Sequence, residues 1–213
     1  MDIRTKGEMN RGWRVFGAML AACLLTGCWL LFVYKTVPFI YDINDDVAMR
    51  NVAAGVITGA PDAHLLHIKY LLGLVISGLY QCFPRLDWYG LTMIGVVLLS
   101  FALCLYRGLV SEKGIFWKII YAGIALLLMT ALGTQHVSAF QWTTAAGIAG
   151  AAGIFLFYTA GEGPDWQIRM EEGIAVFLVL VSLLIRDDVF FITAPAAALC
   201  FCLLYTSDAA DEL

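Results

Sequence analysis

The chain has 213 residues, of which 61% are hydrophobic and only 14% charged, and its mean hydropathy is +0.81. A soluble domain carries about 25% charged residues, and this chain has too few to surround a core with a polar shell. The composition excludes a soluble globule and a disordered chain, and a formal charge of −4 gives no electrostatic basis for binding nucleic acid. It predicts an all-α fold, a polytopic transmembrane helical bundle whose first partner is the lipid bilayer.

Arg4, Lys6, Arg11 and Arg14 precede the first apolar run. The positive-inside rule therefore predicts a cytoplasmic N-terminus in a multi-pass protein of the plasma (inner) membrane. The run from Val15 to Tyr34 is too long for a cleaved signal, and no small-residue cleavage site follows it. Trp13 to Tyr34 is expected to cross outward, with both aromatic residues as interfacial anchors.

The first outer loop, residues 35–87, is expected to hold juxtamembrane helices. It contains Tyr41-Asp42-Ile43-Asn44-Asp45-Asp46. Asp45 or Asp46 can cap a short helix, along which Met49, Val52, Ala53 and Val56 recur with helical period. Asp46 and Arg50, four apart, are expected to pair on its polar face. Thr58-Gly-Ala-Pro61 ends it, and the helix is expected to lie on the outer membrane surface.

The next apolar core runs only from Tyr70 to Tyr80, flanked by His64, His67 and Lys69 before it and Gln81 after it. A run of about 10–14 apolar residues suits an interfacial helix better than a crossing. A crossing would put Arg107, Lys113 and Lys118 outside. A helix lying along the outer surface puts them inside with Arg169, which agrees with the charge bias. The later crossings are then Trp88 to Tyr106, Ile115 to Leu132, Phe140 to Tyr158 and Ile174 to Ile185. Thr134-Gln135-His136 is expected to be a short outer turn. Arg186-Asp187-Asp188 separates Ile185 from a last apolar segment, Val189 to Phe201. Gly147, Gly150 and Gly153, spaced by three, suit close helix packing. The cysteines outside the tail read as packed or lipid-facing thiols.

Cys202 to Glu212 resembles the one-frame translation of a transposase-type sequencing adapter. Residues 202–213 are therefore read as a non-native tail, and residues 1–201 as one truncated transmembrane module whose natural chain continues. Asp208, Asp211 and Glu212 lie in this tail, so most of the acidic excess belongs to it.

Three carboxylates and an amide between Asp42 and Asp46 read either as a solvated loop with a helix cap or as groups facing a substrate in the bilayer. Adjacent carboxylates such as Asp45 and Asp46 can also share a divalent cation, Mg or Mn. His64 and His67, three apart, are expected to share a helix face, where they make a weak metal pair without a third ligand and serve chiefly as interfacial polar anchors. Arg186 with its acids reads either as an interfacial turn or as a phosphate-facing cation held by a carboxylate.

An N-terminal crossing, an outer loop with Asp45-Asp46, an amphipathic helix with Arg50, a Gly59-Ala-Pro61 turn, and an apolar helix opening in the run His64 through Lys69 to Phe83 together resemble the N-terminal module of the GT-C superfamily. These are integral-membrane glycosyltransferases. The likeness covers about Trp13 to Tyr106. Many members read Lys-Pro-Pro where this chain has Asp62-Ala-His64. The resemblance implies an inverting transfer of sugar from a polyprenyl-phosphate donor to a cell-envelope glycan, lipid or protein acceptor. Asp45 or Asp46 would be the catalytic base. Asp42, Arg50, His64, Lys69 and Arg186 would bind substrate, and a cation or metal would offset the leaving phosphate. The rival readings are a transporter or flippase fragment and a non-catalytic polytopic membrane protein.

Overall fold

A computed structural model describes residues 3–160, 163–193, 195 and 199. Both the tail, 202–213, and the end of the last apolar segment lie outside the described residues. The described chain is nearly all helix. It comprises α1 (Ile3–Thr36), β1 (Ile40–Tyr41), α2 (Asn44–Ala53), α3 (Tyr70–Cys82), α4 (Trp88–Val110), α5 (Ile115–Leu128), a π turn (Met129–Gly133), α6 (Thr134–Ser138), β2 (Ala139–Phe140), α7 (Trp142–Thr159) and α8 (Asp165–Ile185).

Four stretches are long and apolar enough to cross a membrane: Arg11–Thr36, Trp88–Val110, Ile115–Ser138 and Trp142–Thr159. Each follows from an apolar run without proline, since a crossing needs about 20 residues at 1.5 Å rise. α8 carries Asp165, Arg169, Glu171 and Glu172 in its first half, which makes it less apolar. It packs tightly on α7 through the small residues. A Cβ on Gly153 would lie 2.8 Å from the Ala175 carbonyl oxygen, and one on Gly150 would lie 3.0 Å from Ser182 Oγ. The core is a seam of Trp29, Val33, Met49, Tyr89, Met93 and Trp142, which joins α1, α2, α4 and α7.

Polar contacts gather at two opposite ends of the bundle. At the N-terminal pole, Arg11 Nε donates to Gln167 Oε1 (3.0 Å) and Arg14 Nη1 to Glu112 (2.8 Å). Arg107 lies 3.4 Å from the fully buried Glu171, which also accepts from Tyr106 and Gln167 at 2.7 Å each. At the opposite, acidic pole, β1 pairs in parallel with β2, Ile40 beside Ala139 and Tyr41 beside Phe140.

Helix α3 belongs wholly to the acidic pole. At its start, the Lys69 N–H donates to the Leu184 carbonyl (2.8 Å), at the end of α8. Near its end, Tyr80 OH donates to Asp87 (2.7 Å), and Asp87 also holds Tyr41 of β1. Both ends therefore meet groups of one pole, and α3 lies along the bundle end. Arg107, Lys113, Lys118 and Arg169 fall at the other pole, on the side of the N-terminus.

Two local expectations change. The turn at Thr134-Gln135-His136 is helical instead, because this segment has no proline and Thr134 Oγ1 bonds the Thr130 carbonyl (2.8 Å). The helix absorbs one extra residue as the π turn just before it. Residues 61–69, with both histidines, form irregular backbone rather than a helix. The expected interruption after Ile185 is present: Arg186 has extended backbone, φ −154° and ψ 114°, and helix resumes over residues 187–193.

Candidate functional site at the acidic pole

Helix α2 sets the site. Successive helix residues are about 100° apart, so Asp45 and Asp46 cannot face the same way. Asp46, Met49 and Ala53 form the buried stripe of α2. Asp46 is completely buried. Its Oδ1 accepts from Tyr89 OH (2.6 Å) and from the Trp142 N–H (3.1 Å). Its Oδ2 is buried with no partner among the described residues. Burial pushes this carboxyl above its ordinary value, the two hydrogen bonds oppose that shift, and Asp42 and Asp45 push it further up. The two hydrogen bonds pin α2 to α4 and α7.

Asp45 points the other way. Its side chain is 55% exposed, and Oδ2 lies 3.6 Å from His67 Nε2. The His67 ring stacks on the Trp142 indole, with centroids 4.6 Å apart and planes 2° apart. The Arg186 guanidinium lies over the same indole, 4.3 Å from its centroid. Arg186 Nη1 donates to Thr143 Oγ1 (2.5 Å), and Nη2 lies 3.3 Å from Asp188. Beside it, Lys69 Nζ donates to Asp187 (2.5 Å), a bond that holds the Asp187 carboxyl below its ordinary range. Trp142, only 4% exposed, is thus a fixed platform for one imidazole and one guanidinium.

A second carboxylate stands nearby. Asp87 caps α4 through the Gly90 N–H (3.3 Å) and accepts from Tyr41 and Tyr80. Burial, and then Asp87, push the Tyr41 hydroxyl well up, so Tyr41 stays a donor. Arg50 Nε lies 3.8 Å from Asp87 and Nη1 donates to Asn51 (2.9 Å).

The structure brings together Asp45, Lys69 and Arg186, and it seals Asp46 behind them. The expected Asp46–Arg50 pair does not form, because Asp46 lies on the buried face and Arg50 reaches Asp87 instead. Asp42 is exposed and its N–H donates to the Phe140 carbonyl (3.3 Å). His64 stands outside the cluster. Its side chain is 77% exposed and its Nδ1 bonds Asp62 at 2.8 Å. The contributions of His67, Trp142, Thr143, Tyr41 and Asp87 escape the sequence reading. A signal existed for Asp46, since the i, i+3, i+7 spacing to Met49 and Ala53 places it on the apolar stripe.

A cation shared by Asp45 and Asp46 does not fit this geometry. Asp46 Oδ1 is committed to Tyr89 and Trp142, and Asp45 turns outward to His67. Among the described residues no three His, Cys, Asp or Glu side chains gather as a metal set. The cationic groups at this pole include Lys69, Arg186 and Arg50. Comparison with protein-family models, with curated proteins and with solved structures finds no match to this chain.

Proposed function

We propose that the acidic pole transfers a sugar from a polyprenyl-phosphate donor to a cell-envelope acceptor, at the outer face of a plasma membrane with the N-terminus in the cytoplasm. The observation that carries this reading is the line Asp45–His67–Trp142–Arg186, with Lys69 alongside. It joins an exposed carboxylate to cations at an end of the bundle, where the phosphate of a lipid-linked sugar resides. The acceptor oxygen attacks the anomeric carbon as its proton passes to Asp45. The bond from that carbon to the phosphate oxygen breaks, and its electron pair leaves on the polyprenyl phosphate. Arg186, planar and forked, and Lys69 offset the charge of the departing phosphate. His67 orients the Asp45 carboxylate, and Asp46 holds the scaffold.

A second reading, a transporter or flippase, draws on a different observation. Glu171 is fully buried and faces Arg107 between helices at the other pole. A transfer assay separates the two. With a radiolabelled polyprenyl-phosphate sugar, Asp45→Asn should lower the transfer rate by about 100-fold or more, while His64→Gln leaves it near wild type. Equal transfer by wild type and Asp45→Asn would reject Asp45 as the base.

A further inference from the structure

Helix α5 stands off the bundle, and none of its residues from Ile115 to Leu128 is buried. The crevice it leaves against α4 and α7 contains two cavities, of about 570 Å³ and about 540 Å³. Tyr121, Ile124 and Phe155 line both, so the two cavities adjoin along α5. The half nearer the N-terminal pole is lined by Arg107, Ser111 and Lys113. The other half continues past Leu105, Leu128 and Leu132. Tyr121 forms the waist, its hydroxyl donating to the Cys104 carbonyl (2.8 Å) and its ring lying where a Gly108 Cβ would be.

The polar half holds a cation that is ion-paired but donates no hydrogen bond among the described residues. Arg107 is only 8% exposed, and its single ion-pair partner, Glu171 at 3.4 Å, accepts no hydrogen bond from it. Its guanidinium donates no hydrogen bond among the described residues. A buried guanidinium with unused donors suits a phosphate, to which it offers a fork of N–H groups. Lys113, exposed at the same rim, has no ion pair among the described residues.

We propose that this crevice binds one anionic phospholipid from the leaflet at the N-terminal pole. Its phosphate sits between Arg107 and Lys113, and one acyl chain lies along Tyr121, Ile124 and Phe155. Charge complementarity selects the anionic headgroup. The apolar continuation selects a lipid over free phosphate, because inorganic phosphate leaves the second half empty. From Trp117 to Leu132 the helix rises about 22 Å, more than half of a hydrocarbon core about 30 Å thick, so a chain of one leaflet fits. This site is independent of the transfer chemistry at the acidic pole.

Native mass spectrometry of the detergent-solubilised chain tests it, with phosphatidylglycerol and phosphatidylcholine of identical acyl chains. Wild type should retain one phosphatidylglycerol, preferred over phosphatidylcholine by about fivefold for each cation that faces it. Lys113→Gln, an exposed change that leaves the fold alone, should lower that preference about fivefold. Ile124→Trp, which fills the waist of the crevice, should abolish retention of either lipid. Equal retention of the two lipids by wild type, or an unchanged preference in Lys113→Gln, would overturn the proposal. So would displacement of the lipid by millimolar inorganic phosphate, the mark of a free-anion site, or retention unaltered in Ile124→Trp.

Discussion

At the residue scale, two neighbouring aspartates have opposite characters, and the helix turn between them is the cause. Asp45 meets water and His67, whereas Asp46 is enclosed by Tyr89 and the Trp142 backbone. Asp46 binds its proton more tightly folded than unfolded, so its contribution to stability is complete below the unfolded aspartate pKa. That contribution is lost as pH rises through the raised folded value. Asp187, lowered by Lys69, acts oppositely: its contribution is complete above the unfolded value and is lost as pH falls through the lowered folded value. Asp46→Asn keeps an acceptor for both donors and cannot ionise. Its melting temperature in detergent should therefore fall less than that of wild type as pH rises from about 4 towards neutrality. Asp46→Ala leaves the Tyr89 hydroxyl and the Trp142 N–H without their acceptor, at a cost of about 1–3 kcal/mol each. An Asp46→Asn profile parallel to wild type would show that Asp46 is charged in the fold.

At the element scale, α3 is held against its preceding loop by a glycine. A Cβ on Gly73 would fall inside van der Waals contact of the Ala63 carbonyl oxygen, a backbone atom that cannot swing away. Gly78, in the same helix, has open space beside it. Gly73→Ala should lose about 1–3 kcal/mol in chemical unfolding, whereas Gly78→Ala should gain about 0.5–1 kcal/mol from helix propensity. Equal effects would mean that loop 61–69 does not sit on α3. Crossings such as Trp88–Val110 were legible in the sequence, because a long apolar run has few other solutions in a bilayer. The end of α2 was legible only in part: Thr58-Gly-Ala-Pro61 marked a stop, but the helix already ends at Ala53, and Gly55, with φ +77°, takes the left-handed backbone that follows it. The pairing of β1 with β2 was not legible, since two residues carry no period. Nor was the stacking of His67 on Trp142, which joins distant segments without any local pattern. Lys69 and Arg186 each stood out alone, but only the fold puts them on one pole.

At the scale of the whole molecule, the account rests on polarity between two ends. The N-terminal pole gathers Arg11, Arg14, Arg107 and Glu171, and its exposed Glu112 is held below its ordinary value chiefly by its hydrogen bond to Arg14. The acidic pole gathers Asp45, His67, Lys69, Asp87 and Arg186, and it includes both ends of α3. If α3 crossed the membrane, Asp87 could not meet Tyr41, and the cluster at the acidic pole would not assemble. Sidedness of labelling reads this directly. In a cysteine-free background, single changes Asp62→Cys, Arg85→Cys and Lys113→Cys are labelled in oriented vesicles by a membrane-impermeant maleimide. Labelling of the Asp62 and Arg85 positions from one side, and of the Lys113 position from the other, is the predicted result. Labelling of the Asp62 and Arg85 positions from opposite sides would contradict the account.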